Sequence, residues 1–101
     1  MNAIRLTGRL LCADKIEAAI VLRHLDQHIA LTRAEPGCLQ FNVEPTGDPL
    51  VWTVRERFVD QTAFDAHQSR VRASEWGRAT ARIKRGYVIV PDVMVSDADE
   101  R

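Results

Sequence analysis

From Ile4 to Cys12 the chain alternates. Ile4, Leu6, Gly8, Leu10 and Cys12 fall on one side, Arg5, Thr7 and Arg9 on the other. Successive strand side chains point to opposite faces, so this period of two predicts a strand with one buried face. The period then changes: Ala18, Val21, Leu22, Leu25, Ile29 and Thr32 recur at three- and four-residue spacing, as on a helix with one apolar stripe. Asp14, three residues before Glu17, has the spacing of a capping box at its start. Pro36 and Gly37 end it, since proline cannot continue a helix and glycine suits the turn that follows.

Alternation returns at Cys38 to Glu44, with Leu39, Phe41 and Val43 against Gln40, Asn42 and Glu44. Pro45 to Pro49 ("PTGDP") is turn chemistry. In Leu50 to Phe58, Trp52, Val54, Glu56 and Phe58 oppose Val51, Thr53, Arg55 and Arg57. Two strands across a short turn predict a hairpin. Asp60 or Thr62 can cap a second helix, on which Phe64, His67 and Val71 share a face. A break is expected around Val71 to Ser74, with Ser74 capping a second piece whose inward stripe is Trp76, Thr80 and Ile83 and whose end is Gly86. Tyr87 to Val95 is the last predicted strand, and Pro91 suggests an edge position or a bulge.

The order β-α-β-β-α-β, with the second helix in two pieces, is that of a ferredoxin-like α+β fold with a four-stranded antiparallel sheet. Residues 1–95 form one domain and 96–101 a polar tail. The helices can cover only one face of the sheet. A second copy of the chain is the economical cover for the other, which predicts a homodimer.

Fourteen Lys and Arg balance fourteen Asp and Glu. No long-range field therefore attracts nucleic acid or an anionic membrane surface, and the aromatics are too few for a nucleic-acid platform. The apolar runs fall far short of the ~20 residues a spanning helix needs, and the N-terminus lacks a secretory signal pattern, so a cytoplasmic protein is expected. Cys12 and Cys38 read as free thiols. His24 and His28 have chelating spacing, but no third ligand is specified, so a solvated helix face and no metal are expected.

"EPGCLQFNV", "LVWTVRERF" and "FDAHQS", in this order and spacing, resemble the antibiotic biosynthesis monooxygenase family, over roughly residues 3 to 95. The resemblance implies a dimeric α+β barrel with a pocket between sheet and helices. It implies oxygenases that act on quinols or polycyclic phenols without metal or flavin, although other members degrade haem. The haem-degrading branch uses an Asn on the first strand and a Trp and His on the second helical segment. Here the first strand carries no Asn, and His67 stands nine residues before Trp76, the reverse order, which argues against haem degradation.

Oxygenation without a cofactor needs an electron-rich aromatic that is deprotonated in a dry pocket and then reduces O₂. His67 is the candidate base, with Glu56 to orient it and Asn42 to hold a substrate oxygen. Trp52, Trp76, Phe41 and Phe64 are the candidate pocket lining for an aromatic substrate. A buried or half-buried imidazole bonded to Glu56 or to a backbone carbonyl would account for the same pattern, and Glu56 could instead pair with Arg55, Arg57 or an arginine of a second copy of the chain. Two other functions fit the same pocket: a dimeric module that binds a hydrophobic small molecule, and an acid–base isomerase acting on a similar ring.

Overall fold

The computed structural model describes residues 2–92. The elements are β1 (Ala3–Leu11), α1 (Lys15–Arg33), β2 (Cys38–Pro45), β3 (Val51–Phe58), α2 (Gln61–Arg72), α3 (Glu75–Ala79) and β4 (Lys84–Asp92). The expected end of the last strand, Val93 to Val95, and the tail lie outside the described residues. The strands form one antiparallel sheet in the order β2-β3-β1-β4, which is the ferredoxin-like topology. Pro91 lies on β4, an edge strand, as the sequence predicts. Among the described residues no helix is long and apolar enough to cross a membrane.

Side-chain alternation explains where the core sits. Leu6, Leu10, Trp52, Val54, Phe58, Phe41 and Val43 share the helix-covered face and are buried. Burying each of the larger side chains contributes about 1.5–3 kcal/mol before entropic costs. The opposite face carries Arg5, Thr7, Arg9, Arg55 and Val88, all exposed except half-covered neighbours such as Asn42 and Arg57. Leu39 stands at a bulge in β2 and is 51% exposed, so the period of two fails there.

The helices begin where their caps predict. Asp14 accepts from Glu17 N at 2.9 Å, and Glu17 reaches back to Ala13 N at 2.8 Å. Asp60, rather than Thr62, caps α2 by accepting from Ala63 N at 2.8 Å. Ser74 caps α3.

Two expectations are corrected. The buried stripe of α1 is Val21, Leu25, His28 and Thr32, whereas Leu22 is 69% exposed. A helix of 3.6 residues per turn carries residue 28, seven after Val21, back to the same face, and the pocket beneath it accepts an imidazole. The third helical piece ends at Ala79, not near Gly86. Sheet pairing reaches back to Lys84 opposite Leu11, and Arg85 donates to the carbonyls of Thr80 and Ile83.

Candidate functional site

His67 sits on the buried face of α2, three residues and so nearly one full turn beyond Phe64 in the inward stripe, and is 3% exposed. Its Nδ1 lies 2.9 Å from Glu35 Oε1. Glu35 follows Ala34, the C-cap of α1, and the Pro36–Gly37 turn carries the chain from there into β2. Arg70, one turn along α2 from His67, donates from Nε to the other Glu35 oxygen and from Nη2 to Thr32 Oγ1 at 3.0 Å. A carboxylate accepts only, so Glu35 holds the ring proton on Nδ1 and leaves the Nε2 lone pair free. Burial pushes the His67 pKa down, the Glu35 charge and hydrogen bond pull it up, and the net shift is downward. His67 is therefore a neutral imidazole at pH 7.

Its Nε2 faces Glu56 Oε1 at 3.8 Å, beyond hydrogen-bond reach. Glu56 lies on the helix-covered side of β3, and Oε1 has no partner. Burial, followed by repulsion from Glu35, pushes its pKa up to about 8, so it is a neutral acid at pH 7. Glu56 was expected to orient His67; Glu35 makes that bond. Beside them His28 stacks on Trp76, with centroids 4.4 Å apart and planes 3° from parallel, and meets Phe41 edge-on at 5.1 Å. Burial, reinforced by repulsion from His67 once that ring is protonated and from the Arg70 and Arg85 cations, lowers the His28 pKa to about 3. Its Nδ1 is also without a partner. The expectation of a solvated His28 is thus overturned.

These groups share a cavity of about 520 Å³, the size of a small-molecule site. Phe41, Val43, Val54, Leu10 and Trp76 supply apolar wall; His28, Glu56, His67, Gln68, Arg72, Arg85 and Tyr87 supply polar groups. Gly8 helps place Tyr87. A Cβ there would come within 2.1 Å of the Gly86 carbonyl oxygen and 2.9 Å of Tyr87 Cδ1. Only a residue without a side chain lets the two strands and that ring approach so closely.

Of the residues singled out in the sequence, His67, Glu56, Trp76 and Phe41 meet in this cavity. Trp52 and Phe64 do not line it. Trp52 is buried in the core, and Phe64 packs against Phe58 at 5.7 Å. Asn42 points to the opposite face of the sheet, paired with Arg55 across the ladder, and accepts from Gln40 Nε2 at 3.0 Å. It therefore cannot hold a substrate oxygen in this cavity, because adjacent strand positions face opposite ways. Glu35, His28, Arg70, Arg85 and Tyr87 were not singled out as site residues. Nothing in the sequence marks Glu35 beyond its place at the start of "EPGCLQFNV", whereas the period of seven from Val21 is a signal that points to His28. Among the described residues no cluster of three or more His, Cys, Asp or Glu side chains is arranged to hold a metal. Cys12 and Cys38 are both free thiols.

Residues 13–79 match the model of the antibiotic biosynthesis monooxygenase family. The chain belongs to that family. The matched stretch contains Glu35, His28, Glu56, His67 and Trp76, whereas Arg85 and Tyr87 lie beyond it. Solved structures of similar shape include a Nitrosomonas europaea protein assigned to the antibiotic biosynthesis monooxygenases, with TM-score 0.74 and 16% identity over 90% of this chain and 91% of that one. A conserved protein of Methanosarcina mazei Go1 gives 0.70 and 18% over 91% and 94%. MupZ of Pseudomonas fluorescens gives 0.71 and 19% over 88% and 68%. At such identities these likenesses establish the fold. No functionally curated protein matches the sequence.

Proposed function

We propose that the protein is a cofactor-independent monooxygenase acting on a quinol or related hydroxylated aromatic. One observation carries this reading: the Glu35–His67 pair leaves a neutral imidazole nitrogen at the wall of an aromatic-lined cavity, 3.8 Å from a protonated carboxyl. A substrate hydroxyl set between Nε2 and Glu56 would give its proton to His67, while the Glu56 O–H donates to the developing oxyanion. The oxyanion is a strong one-electron donor and reduces O₂ to superoxide. Recombination forms a C–O bond, and loss of water from the resulting hydroperoxide leaves the ring oxidised and one oxygen heavier. Phe41, Val54 and Trp76 exclude bulk water from this step.

The reading takes the protein to be cytoplasmic, in keeping with two unpaired thiols, and to work as a homodimer whose contact is the open face of the sheet. An elution mass twice that of the chain, by light scattering, is expected; a monomer would remove the dimer from the proposal.

The decisive test is oxygen-electrode uptake with menadiol, corrected for autoxidation. Wild type is expected to exceed the blank, and a folded His67→Ala variant to lose on the order of 10²-fold or more. An unchanged rate in that variant would remove His67 from the mechanism. The acid–base pair also favours a second reading, an isomerase that moves a proton on a similar ring. It would turn over anaerobically. Binding without turnover in either atmosphere would identify a binding module.

A further inference from the structure

The polar groups of the cavity are not distributed evenly. His28, Glu56 and His67 are buried and form its floor; Arg72 is exposed and Arg85 half-buried, at its rim. Glu56 is the one carboxyl group among the lining residues, set against two guanidinium groups. Arg85 is held by neutral acceptors. Its Nη1 donates to the carbonyls of Thr80 and Ile83 at 2.6 and 2.8 Å, and its Nη2 to Thr80 Oγ1 at 2.8 Å. These bonds fix the guanidinium in place without cancelling its charge. Among the described residues neither Arg72 nor Arg85 forms an ion pair. The cation acts inward: Arg85 opposes protonation of His28 and favours ionisation of Tyr87.

A fixed, half-buried cation at the mouth of an apolar cleft attracts anions more strongly than the same charge in open solvent, because the low-dielectric walls focus its field. Guanidinium groups match the planar geometry of a carboxylate. The floor carries no positive charge at pH 7, because His28 and His67 are neutral imidazoles and Glu56 a neutral acid, so the cationic pull on an anion comes from the rim.

We propose that the cavity takes an aromatic carboxylate, with its ring against Phe41 and Trp76, its hydroxyl end on the floor and its carboxylate at the Arg72–Arg85 rim. The proposal rests on the reading of this cavity as the substrate site and narrows the substrate class from hydroxylated aromatics in general to anionic ones. Arg85 and Arg72 become specificity residues.

The test is calorimetric titration of the full chain with 2-naphthoate and with 2-naphthalenemethanol, which share a ring system and differ in charge. Wild type is expected to bind the carboxylate at least tenfold more tightly. Arg85→Met is expected to erase most of that preference while leaving the alcohol's affinity unchanged, and Arg85→Lys to keep part of it. Since Arg85 also ties down the end of α3, near-ultraviolet circular dichroism must show a folded variant. If Arg85→Met does not fold, Arg72→Met carries the test, with an expected severalfold loss for the carboxylate alone. Raising KCl tenfold should weaken only the carboxylate. Equal affinities, a preference for the alcohol, or no binding of either compound would overturn the proposal. No oxygen is consumed in this experiment, so its result is independent of the menadiol assay: uptake can fail while the charge preference stands, and the reverse.

Discussion

Glu35 and His67 are 32 residues apart in the chain and 2.9 Å apart in the fold. The carboxylate raises the His67 pKa against the stronger downward push of burial. Replacing Glu35 with Gln removes the charge, so the His67 pKa falls further and the acid limb of any His67-dependent rate moves to lower pH. The ring also loses its anchor, and a loss on the order of 10²-fold in kcat is expected from misplacement. A proton-detected titration of the His67 ring, beside the pH–rate profile, checks this; an acid limb that stays put or rises would show that Glu35 does not act on His67. Glu56 makes the opposite prediction. It donates only while protonated, so the rate should fall as pH rises through about 8, and the Glu56→Gln amide should flatten that alkaline limb. His67 could be picked out of the sequence because it shares a helix face with Phe64. Its partner could not, because nothing local ties the end of α1 to the middle of α2.

At the scale of elements, the site depends on α2 starting at the right residue and on β1 lying close to β4. Asp60→Ala removes the side chain that accepts from Ala63 N and should cost about 1 kcal/mol, read as a lower denaturant midpoint at unchanged slope. Gly8→Ala puts a methyl within 2.1 Å of the Gly86 carbonyl oxygen. Backbone cannot yield as a flexible side chain can, so a cost of roughly 2–3 kcal/mol is expected, with distortion at Tyr87. An Ala variant as stable as wild type would mean that β4 shifts without penalty. The elements themselves were readable because burial on one face imposes a period. The errors fell where that rule weakens: at Leu39 in a bulge, at Leu22 on the flank of the α1 stripe, and where β4 begins by pairing with Leu11 rather than by any local signal.

For the whole molecule, two buried groups set opposing pH limits. The His28 pKa is lowered from 6.5 to about 3, so unfolding takes up a proton, and stability from this group is lost as pH falls from 6.5 toward 3. The Glu56 pKa is raised from 4.5 to about 8, so unfolding releases a proton, and its contribution is lost as pH rises from 4.5 toward 8. Between 4.5 and 6.5 the two slopes cancel, which predicts a broad stability maximum there, with each limb worth on the order of a few kcal/mol. His67, also shifted down, adds to the acid limb. Thermal midpoints across pH should show a shallower acid limb in His28→Phe, which keeps a ring against Trp76, and a flat response from pH 6.5 to 8 in Glu56→Gln. A Glu56→Gln protein that declines as steeply as wild type over that range would assign the loss to another group.

The sequence by itself determined the order of strands and helices, the Asp14 and Ser74 caps, the ferredoxin-like class and the inward direction of His67, Glu56 and Trp76. All of these follow from short-range periods and from hydrogen bonds between residues three or four apart. Only the tertiary structure decided which carboxylate holds His67, that Asn42 faces away, that His28 stacks under Trp76, and that Arg85 stands uncompensated at the rim. Those relations join residues from different elements. Their distances depend on register and on helix rotation about the sheet, which are settled by packing the whole core at once.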